Sequence, residues 1–186
     1  MDLTSAQLAG ADLSGANLNE AKLGFANLSM ANLEGASLGA AGLENAFLQG
    51  ATLKSANVFG AKMNRASLVE VDGVGASVKA VELSFADMRK ANFKSATFQG
   101  SFLGNADLEG ALLTGADFRK TGLGEADLTD ATLAKANLSG ADLTNANLTN
   151  ANLRGANLKS ATLTGAQWKG ATCPNGKKAD PDCKRS

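Results

Sequence analysis

The most constraining feature of this chain is a repeat of five residues that keeps its register from Leu3 to Cys173. The 35 positions that end in 3 or 8 form the centres of the repeat, and 25 of them are leucine. Of the 34 positions that lie two residues before a centre, from Ala6 to Ala171, 30 are alanine. A helix requires apolar recurrence at about 3.6 residues and a strand at about 2, so a period of five predicts neither. The repeat instead indicates a turn that recurs around an axis.

Two of the units, residues 136–140 (Ala-Asn-Leu-Ser-Gly) and 141–145 (Ala-Asp-Leu-Thr-Asn), resemble the pentapeptide-repeat family, whose consensus is Ala-(Asp/Asn)-Leu-X-X. The resemblance implies an all-β fold, a right-handed quadrilateral β-helix in which each pentapeptide makes one side and four make a coil of 20 residues. We therefore expect a solenoid of about 8–9 coils over residues 1–173, followed by a C-terminal capping tail at residues 174–186.

In such a coil the centre and the alanine before it both point at the axis, and the small side chain leaves room for the large ones. The other three positions face water, and Asn, Asp, Ser, Thr, Gly, Lys and Glu predominate there. Asp or Asn just before a centre, as at Asp12, Asn32 and Asn152, is expected to bond the local backbone and support the turn. Coils then stack at about 4.8 Å, and each buries its inner residues against the next.

Side chains on which much catalysis depends are missing. The chain has no histidine and no tyrosine, which removes Ser-His and Cys-His nucleophile pairs, the commonest general base and the commonest metal ligand. Its carboxylates are predicted to lie on the outer surface, where no dry cleft would raise their pKa values. The sequence therefore predicts a protein that is not an enzyme and that holds no cofactor and no metal.

The formal charge is balanced, with 18 Lys and Arg against 18 Asp and Glu, so no overall field favours nucleic acid or an anionic membrane. The net charge alternates along the chain, at −4 over residues 1–50, +3 over 51–100, −4 over 101–150 and +5 over 151–186. We interpret these bands as solvated variation among repeats. No signal peptide and no apolar run of membrane-spanning length is recognisable, so no direct membrane insertion is predicted.

The start of the chain shows no cap, because Met1 already stands in an alanine position of the repeat. An open sheet edge is a hazard, so either another molecule covers the first coil or the chain was cut from a longer polypeptide. We favour the second. The oligomeric state expected is a monomer or a weak homodimer that joins through the uncapped N-terminal coil.

Both cysteines lie near the C-terminus. Cys173 occupies a centre, Pro174 ends the repeat, and the Pro-Asn-Gly sequence predicts a turn that returns Cys183 to the last coil. We expect a Cys173–Cys183 disulfide that holds a lid over the column and contributes about 2–3 kcal/mol. It would indicate an oxidising compartment such as the periplasm or the thylakoid lumen, and similar tails occur in cyanobacterial and plastid members of the family. The alternative is two reduced thiols and a cytoplasmic location.

The largest departure from the repeat is a run of five residues, Val71, Asp72, Gly73, Val74 and Gly75. One interpretation is compensation in the core, because residues 20 apart stack and Phe93 would fill the room that Gly73 leaves. The other is a bulge or a short loop that a partner recognises. We favour compensation, since the register is the same on both sides.

Apolar side chains in outward positions indicate a candidate interaction surface. Assigning faces by position modulo 20 places six of them on two adjoining faces that share one long edge of the rod. They are Phe25, Phe85 and Phe102 on one face, and Met30, Phe47 and Val69 on the next. Clustering of this kind indicates a contact surface, whereas scattered exposed apolar residues are ordinary.

These features predict a non-catalytic structural or protein-interaction module that presents a rigid rod-shaped surface to an unknown protein partner. The resemblance implies one alternative, because the best-understood branch of the family imitates DNA and modulates DNA gyrase. That mechanism requires a strongly negative surface, and the balanced charge and basic last segment count against it. A second alternative is the soluble domain of a larger, membrane-associated cyanobacterial protein.

Overall fold

The chain forms a four-sided β-helix in a computed structural model that describes residues 1–179, 182 and 183. Parallel bridges join residues 20 apart, from Asp2 with Lys22 to Asn152 with Thr172. A bridge occurs once per pentapeptide, at positions ending in 2 or 7, so each strand is a single residue. Within the described ranges there is no helix, and so none that could span a membrane. Four ladders run along the rod, and 20 residues complete one coil.

We number the coils in blocks of 20, coil 1 being residues 1–20, and the faces by their place in the coil. The first face holds residues 1–5 of each block, the second 6–10, the third 11–15 and the fourth 16–20. Residues at positions ending in 5 or 0 lie at the corners. The first and second faces therefore meet at Phe25 and Phe85.

Each corner is a tight turn with a left-handed residue. All 34 corner residues from Ser5 to Gly170 have a positive φ, as the third residue of a type II turn requires. With one exception described below, the next N–H closes the turn on the centre carbonyl, as Ala16 does to Leu13 at 3.0 Å. Of the 34 corner residues 21 are not glycine, yet none of them is Val, Ile or Thr. A β-branched side chain tolerates this conformation least, so the turn restricts residue type even where the position is exposed.

Between residues 21 and 155, three further N–H groups of each pentapeptide bond the neighbouring coils. The N–H of Leu13 donates to the carbonyl of Asn32 at 2.8 Å, and that of Gly15 donates to Glu34 at 2.8 Å. In return the N–H of Asn32 donates to the carbonyl of Ala11 at 2.9 Å. Each coil between the two ends is thus held on both sides by the backbone alone.

The fifth N–H, on the residue after the centre, is bonded by an Asp or Asn before the centre. Asp12 Oδ1 accepts from the N–H of Ser14 at 3.1 Å. Asn32 and Asn152 make the same bond two residues on, each at 3.1 Å. The predicted role of these three side chains is confirmed. With this bond made, all five N–H groups of the pentapeptide have partners.

The interior is one column of centres and alanines, buried almost without interruption from Leu18 to Ala156. In coil 1 the centres Leu3, Leu8 and Leu13 are only partly buried, because no coil covers them from below. Large rings occupy the middle of the column, where Phe98 stacks on Phe118 with centroids 4.7 Å apart.

The interruption at residues 71–75 stays in register. Asp72 forms bridges with both Thr52 and Asn92, and Gly75 has a positive φ, as all the other corner residues do. A Cβ on Gly73 would lie 2.2 Å from Cε1 of Phe93, so the ring occupies the space that a leucine would need. The structure shows compensation in the core, and no bulge or loop forms there.

Three exceptions in the alanine column, Val81, Ser101 and Thr121, stack in successive coils. The Ser101 hydroxyl accepts from the N–H of Val81 at 2.9 Å and donates to the carbonyl of Val78. It thereby replaces the direct bond that closes the other corner turns from Leu3 to Ala171. Thr121 Oγ1 donates to the carbonyl of Phe98 at 2.8 Å. Both buried hydroxyls therefore have partners, as buried polar groups require.

The chain reverses after Pro174, and Thr172 pairs antiparallel with Lys178. Cys173 and Cys183 form a disulfide with sulfurs 2.02 Å apart. Trp168 is buried in the same coil, and its indole Nε1 has no hydrogen-bond partner within the described part of the chain. Leu163 stays partly exposed, so the returning segment covers only one half of the column end. The predicted tail also includes residues 180, 181 and 184–186, which lie outside the described residues.

Candidate interaction surface

The structure gathers four of the six predicted surface residues into two grooves. Phe25 and Phe47 line a groove of 340 Å³ on the second face. Phe85 and Phe102 line a groove of 490 Å³ on the first face. Because Phe25 and Phe85 occupy the same corner three coils apart, the grooves lie about 14 Å apart along the rod. The surface offers two separate apolar sites at a fixed distance, on adjoining faces.

The remaining two predicted residues lie outside these grooves. Val69 is half-buried on the second face. Met30 is 71% exposed at the far corner of that face. Its Sδ lies 2.4 Å from where a Cβ of Gly50 would be, so its side chain packs along the rod over the glycine of the next coil.

The two corner phenylalanines have a conformation that disfavours large side chains. Phe25 has a φ of 58° and Phe85 a φ of 60°, which costs about 1–2 kcal/mol relative to right-handed backbone. Burial does not offset this cost, because both rings are more than half exposed. Glycine serves at 13 of the corners from Gly10 to Gly170, so nothing in the fold requires an aromatic ring here. These rings are therefore candidates for selection by binding.

Polar groups shape the first-face groove beside Phe85. The Arg65 guanidinium lies 5.5 Å from the centroid of the Phe85 ring, within cation–π distance. Asn64 accepts from the N–H of Ser84 at 2.9 Å and donates to Glu82 Oε2 at 2.9 Å. Glu82 is thus held at the groove by an amide that is itself fixed to the backbone of coil 5.

Glycines surround Phe102 on the same face. Gly122 pairs with Phe102 in the ladder, and a Cβ on Gly122 would lie 3.9 Å from Cδ1 of the ring. A Cβ on Gly104 or Gly124 would approach only carbonyl oxygens, at 3.7 and 3.8 Å. The face around the ring is therefore flat, and an approaching chain could reach it closely.

The second-face groove beside Phe25 is polar and uncharged. Asn27 Nδ2 donates to Gln7 Oε1 at 3.3 Å, and Ser29 Oγ donates to Gln49 Oε1 at 3.0 Å. These side chains line the groove together with the two rings. The two grooves thus differ in chemistry, because ionised groups line only the first-face groove.

Charge is segregated by face between residues 91 and 173. The first and second faces carry six acids and one base there, whereas the third and fourth carry six bases and one acid. The acidic side consists of Asp107, Glu109, Glu125, Asp127, Asp130 and Asp142, with Lys169 as its base. The basic side consists of Lys94, Arg119, Lys120, Lys135, Arg154 and Lys159, with Asp117 as its acid. Charges counted in chain order mix the four faces, so the alternation of charge along the chain does not reveal this arrangement.

Several carboxylates are tied to a residue two positions on. Arg89 contacts Asp87 at 2.6 Å, and Arg119 contacts Asp117 at 2.6 Å. Hydrogen bonds from these guanidinium groups hold the pKa of both aspartates below the ordinary value of 3.8. The Thr144 hydroxyl lowers the pKa of Asp142 in the same way. In the described part of the chain no three or more such ligands converge on a cation site.

Comparison with known proteins agrees with this geometry. The pentapeptide-repeats family model matches in eight copies, over residues 2–39, 31–69, 91–130 and 126–165. The interval between the second and third of these matches, residues 70–90, contains Gly73. No curated protein matches the chain in the sequence comparison.

Similar solved structures also include pentapeptide repeat proteins. The chain is similar to HetL, a pentapeptide repeat protein involved in heterocyst differentiation regulation from the cyanobacterium Nostoc, with 34% identity, a TM-score of 0.61, and 96% of this chain and 89% of that chain covered. It is also similar to QnrB1, a plasmid-mediated fluoroquinolone resistance protein, with 16% identity, a TM-score of 0.80, and 92% and 88% covered. At that identity the likeness concerns the fold alone. A pentapeptide repeat protein from the Arabidopsis thaliana thylakoid lumen is 38% identical over 46% of this chain and 59% of its own, but its TM-score of 0.45 supports no structural argument. The family model, the identity to HetL and the four ladders together show that this chain belongs to the pentapeptide-repeat family.

Proposed function

We propose that the chain is a non-catalytic protein-interaction module, a right-handed rod of between eight and nine coils. Its partner is a protein that contacts the edge between the first and second faces. The observation that carries the proposal is the pair of grooves at Phe25 and Phe85, where exposed rings occupy corners that the fold could fill with glycine. The similarity to HetL, a protein involved in regulation, supports a role in recognition.

The disulfide supports a location outside the cytoplasm. Cys173 and Cys183 are both buried and bonded, and such bonds persist in oxidising compartments. We therefore propose a location in a periplasm or a thylakoid lumen. Thiol titration of the protein isolated without reductant is expected to find no free cysteine, and two reactive thiols would contradict this location.

The interaction is tested by capture from an extract of the source organism with the immobilised chain. The test variant combines Phe25→Asn, Phe47→Ser, Phe85→Asn and Phe102→Ser. The matched control is Phe59→Ser, because Phe59 is 56% exposed but lies on the fourth face. A partner bound by the wild type and the control but lost from the test variant supports the proposal. Equal loss from both would show unspecific apolar adhesion and refute it.

One observation favours a second candidate, the modulation of DNA gyrase by imitation of DNA. The chain is neutral overall, but its acidic side presents six carboxylates and one base between residues 91 and 173, and phosphate imitation needs such a surface. The basic side opposes it, since an enzyme that wraps the rod would meet six cations. A supercoiling assay with excess protein decides between them, because inhibition or rescue of gyrase would replace the interaction module as the leading function.

A further inference from the structure

The first-face groove lies at a boundary of charge. Before it on the same face stand the bases Lys62 and Arg65, and Arg65 lines the groove itself. Beyond it stand Glu125 in coil 7 and Asp142 in coil 8. A segment that lies along this face therefore passes from positive to negative surface as it crosses the aromatic rings.

Most of the acids beyond the groove are not neutralised by the protein itself. Among the described residues, no basic group lies within 4.0 Å of the first-face acids Glu125 and Asp142. On the adjoining second face Asp107 faces Arg89 at 3.5 Å. Exposed carboxylates without a cationic neighbour leave a negative potential at the surface, which favours a cationic partner.

The distances limit what such a partner can be. The coil of Phe85 and the coil of Asp142 are three coil steps apart, a distance of about 14 Å along the rod. An extended polypeptide covers this in about four residues at roughly 3.3 Å each. The flat surface around Phe102, where Gly104, Gly122 and Gly124 carry no side chains, leaves room for a backbone at the start of that path.

We propose that the first-face groove binds a polypeptide segment in which apolar side chains are followed by a short cationic run. The apolar side chains pack against Phe85 and Phe102. The cationic run lies over Glu125 of coil 7 and Asp142 of coil 8, which fixes the direction of the segment along the rod. This inference rests on the proposed interaction function and adds to it the chemistry and the direction of the bound segment.

Binding is measured by fluorescence anisotropy with a labelled peptide, Leu-Trp-Leu-Gly-Lys-Lys-Lys-Lys, and the full disulfide-bonded chain. Two control peptides replace the four lysines by glutamate or the three apolar residues by serine. Titrations at about 20 mM and about 300 mM NaCl separate the contributions, because salt at the higher concentration screens exposed charges beyond a few ångströms. The lysine peptide should bind most tightly, and its affinity should fall with salt.

Matched charge variants test the site. The acidic-side variant is Glu125→Gln and Asp142→Asn, the two exposed first-face acids beyond the groove, and asparagine keeps the acceptor that Asp142 offers to the N–H of Thr144. The basic-side control is Lys94→Gln and Lys135→Gln, which changes the same number of charges on the third face. The acidic-side variant should bind the peptide about tenfold more weakly, whereas the basic-side control should bind at least as well as the wild type.

The apolar contact is tested separately with Phe85→Asn and Phe102→Ser, which should weaken binding at both salt concentrations. Equal affinity for the glutamate peptide, or equal loss in both charge variants, would overturn the inference. It is also overturned if the chain self-associates in low salt and the basic-side variant abolishes this, because a second copy then occupies the acidic side. If capture of the native partner depends on the four phenylalanines but the lysine peptide does not bind, the proposed function stands and this inference fails.

Discussion

Replacing Gly73 by leucine should destabilise the protein, although leucine is the commonest residue at the centres of the repeat. A Cβ at Gly73 would lie 2.2 Å from Cε1 and 2.4 Å from Cδ1 of Phe93. The φ of Gly73 is not positive, so the loss would come from this collision and not from backbone strain. Overpacking of a core costs about 1–3 kcal/mol, and a whole leucine side chain should reach the upper end.

The partner substitution should reverse this loss. Phe93→Leu alone leaves empty space beside Gly73 and should cost about 1–3 kcal/mol, as other large-to-small core changes do. The double variant places leucine in both coils, as in most of this column, and should lie within about 1 kcal/mol of the wild type. The coupling between the two sites should therefore be at least about 3 kcal/mol, at or above the upper end for residues in contact.

Thermal unfolding followed by far-ultraviolet circular dichroism is the assay, with urea denaturation as a second measure. At this chain length a change of 3 kcal/mol shifts the midpoint by about 6–12 °C. Gly24→Ala is the control, because a Cβ there meets nothing closer than 3.7 Å, and it should be neutral or stabilise slightly. A higher midpoint for Gly73→Leu, or a double variant that shows the sum of the single losses, would refute the reasoning.

Three other perturbations test separate parts of the fold. Ser101→Ala leaves a buried N–H without its partner and should lower the free energy of unfolding by about 1–3 kcal/mol in urea; no loss would mean that the turn closes directly. Reducing the Cys173–Cys183 disulfide should cost about 2–3 kcal/mol and move the emission of Trp168, the single tryptophan, to longer wavelength, whereas an unchanged spectrum would contradict the lid. The pKa of Asp117 is held below 3.8 by a guanidinium, so its contribution is present above that pH and is lost as pH falls from about 5 to 2. Asp117→Asn keeps the acceptor for the turn but removes the charge, and the pH dependence of its unfolding midpoint should be flatter than that of the wild type.

The fold could be predicted from the sequence because every pentapeptide repeats the same pattern of inward-facing residues. A leucine centre and an alanine two residues before it specify inward positions, and the period of five specifies the side of the coil. Even the interruption at Gly73 was interpretable, since the stacking of residues 20 apart points directly to Phe93. The Asx bond of Asp12 followed as well, because the interaction is local and needs no knowledge of the neighbouring coil.

The surface was harder to predict because it depends on relations between coils. Val69 and Phe85 both stand in outward positions in the sequence, yet one is half-buried and the other is 55% exposed. The hydroxyl of Ser101 could be recognised as an exception, but its insertion into the turn of the coil below depends on atomic positions. Segregation of charge required the faces to be counted separately, and that signal was present in the numbering from the start.

Corners are the places where this fold can acquire a binding function at least cost to its core. A corner side chain leans along the rod over the next corner, as Lys135 does over Gly155, where a Cβ would lie 3.5 Å from its Cγ. It stands outside the buried column of centres and alanines, so it can change without repacking that column, provided that it is not β-branched. Phe25 and Phe85 occupy such corners. Both residues have a strained positive φ, and burial of the ring does not offset that strain. Because the core does not account for them, we propose that burial by a partner is the reason for their presence.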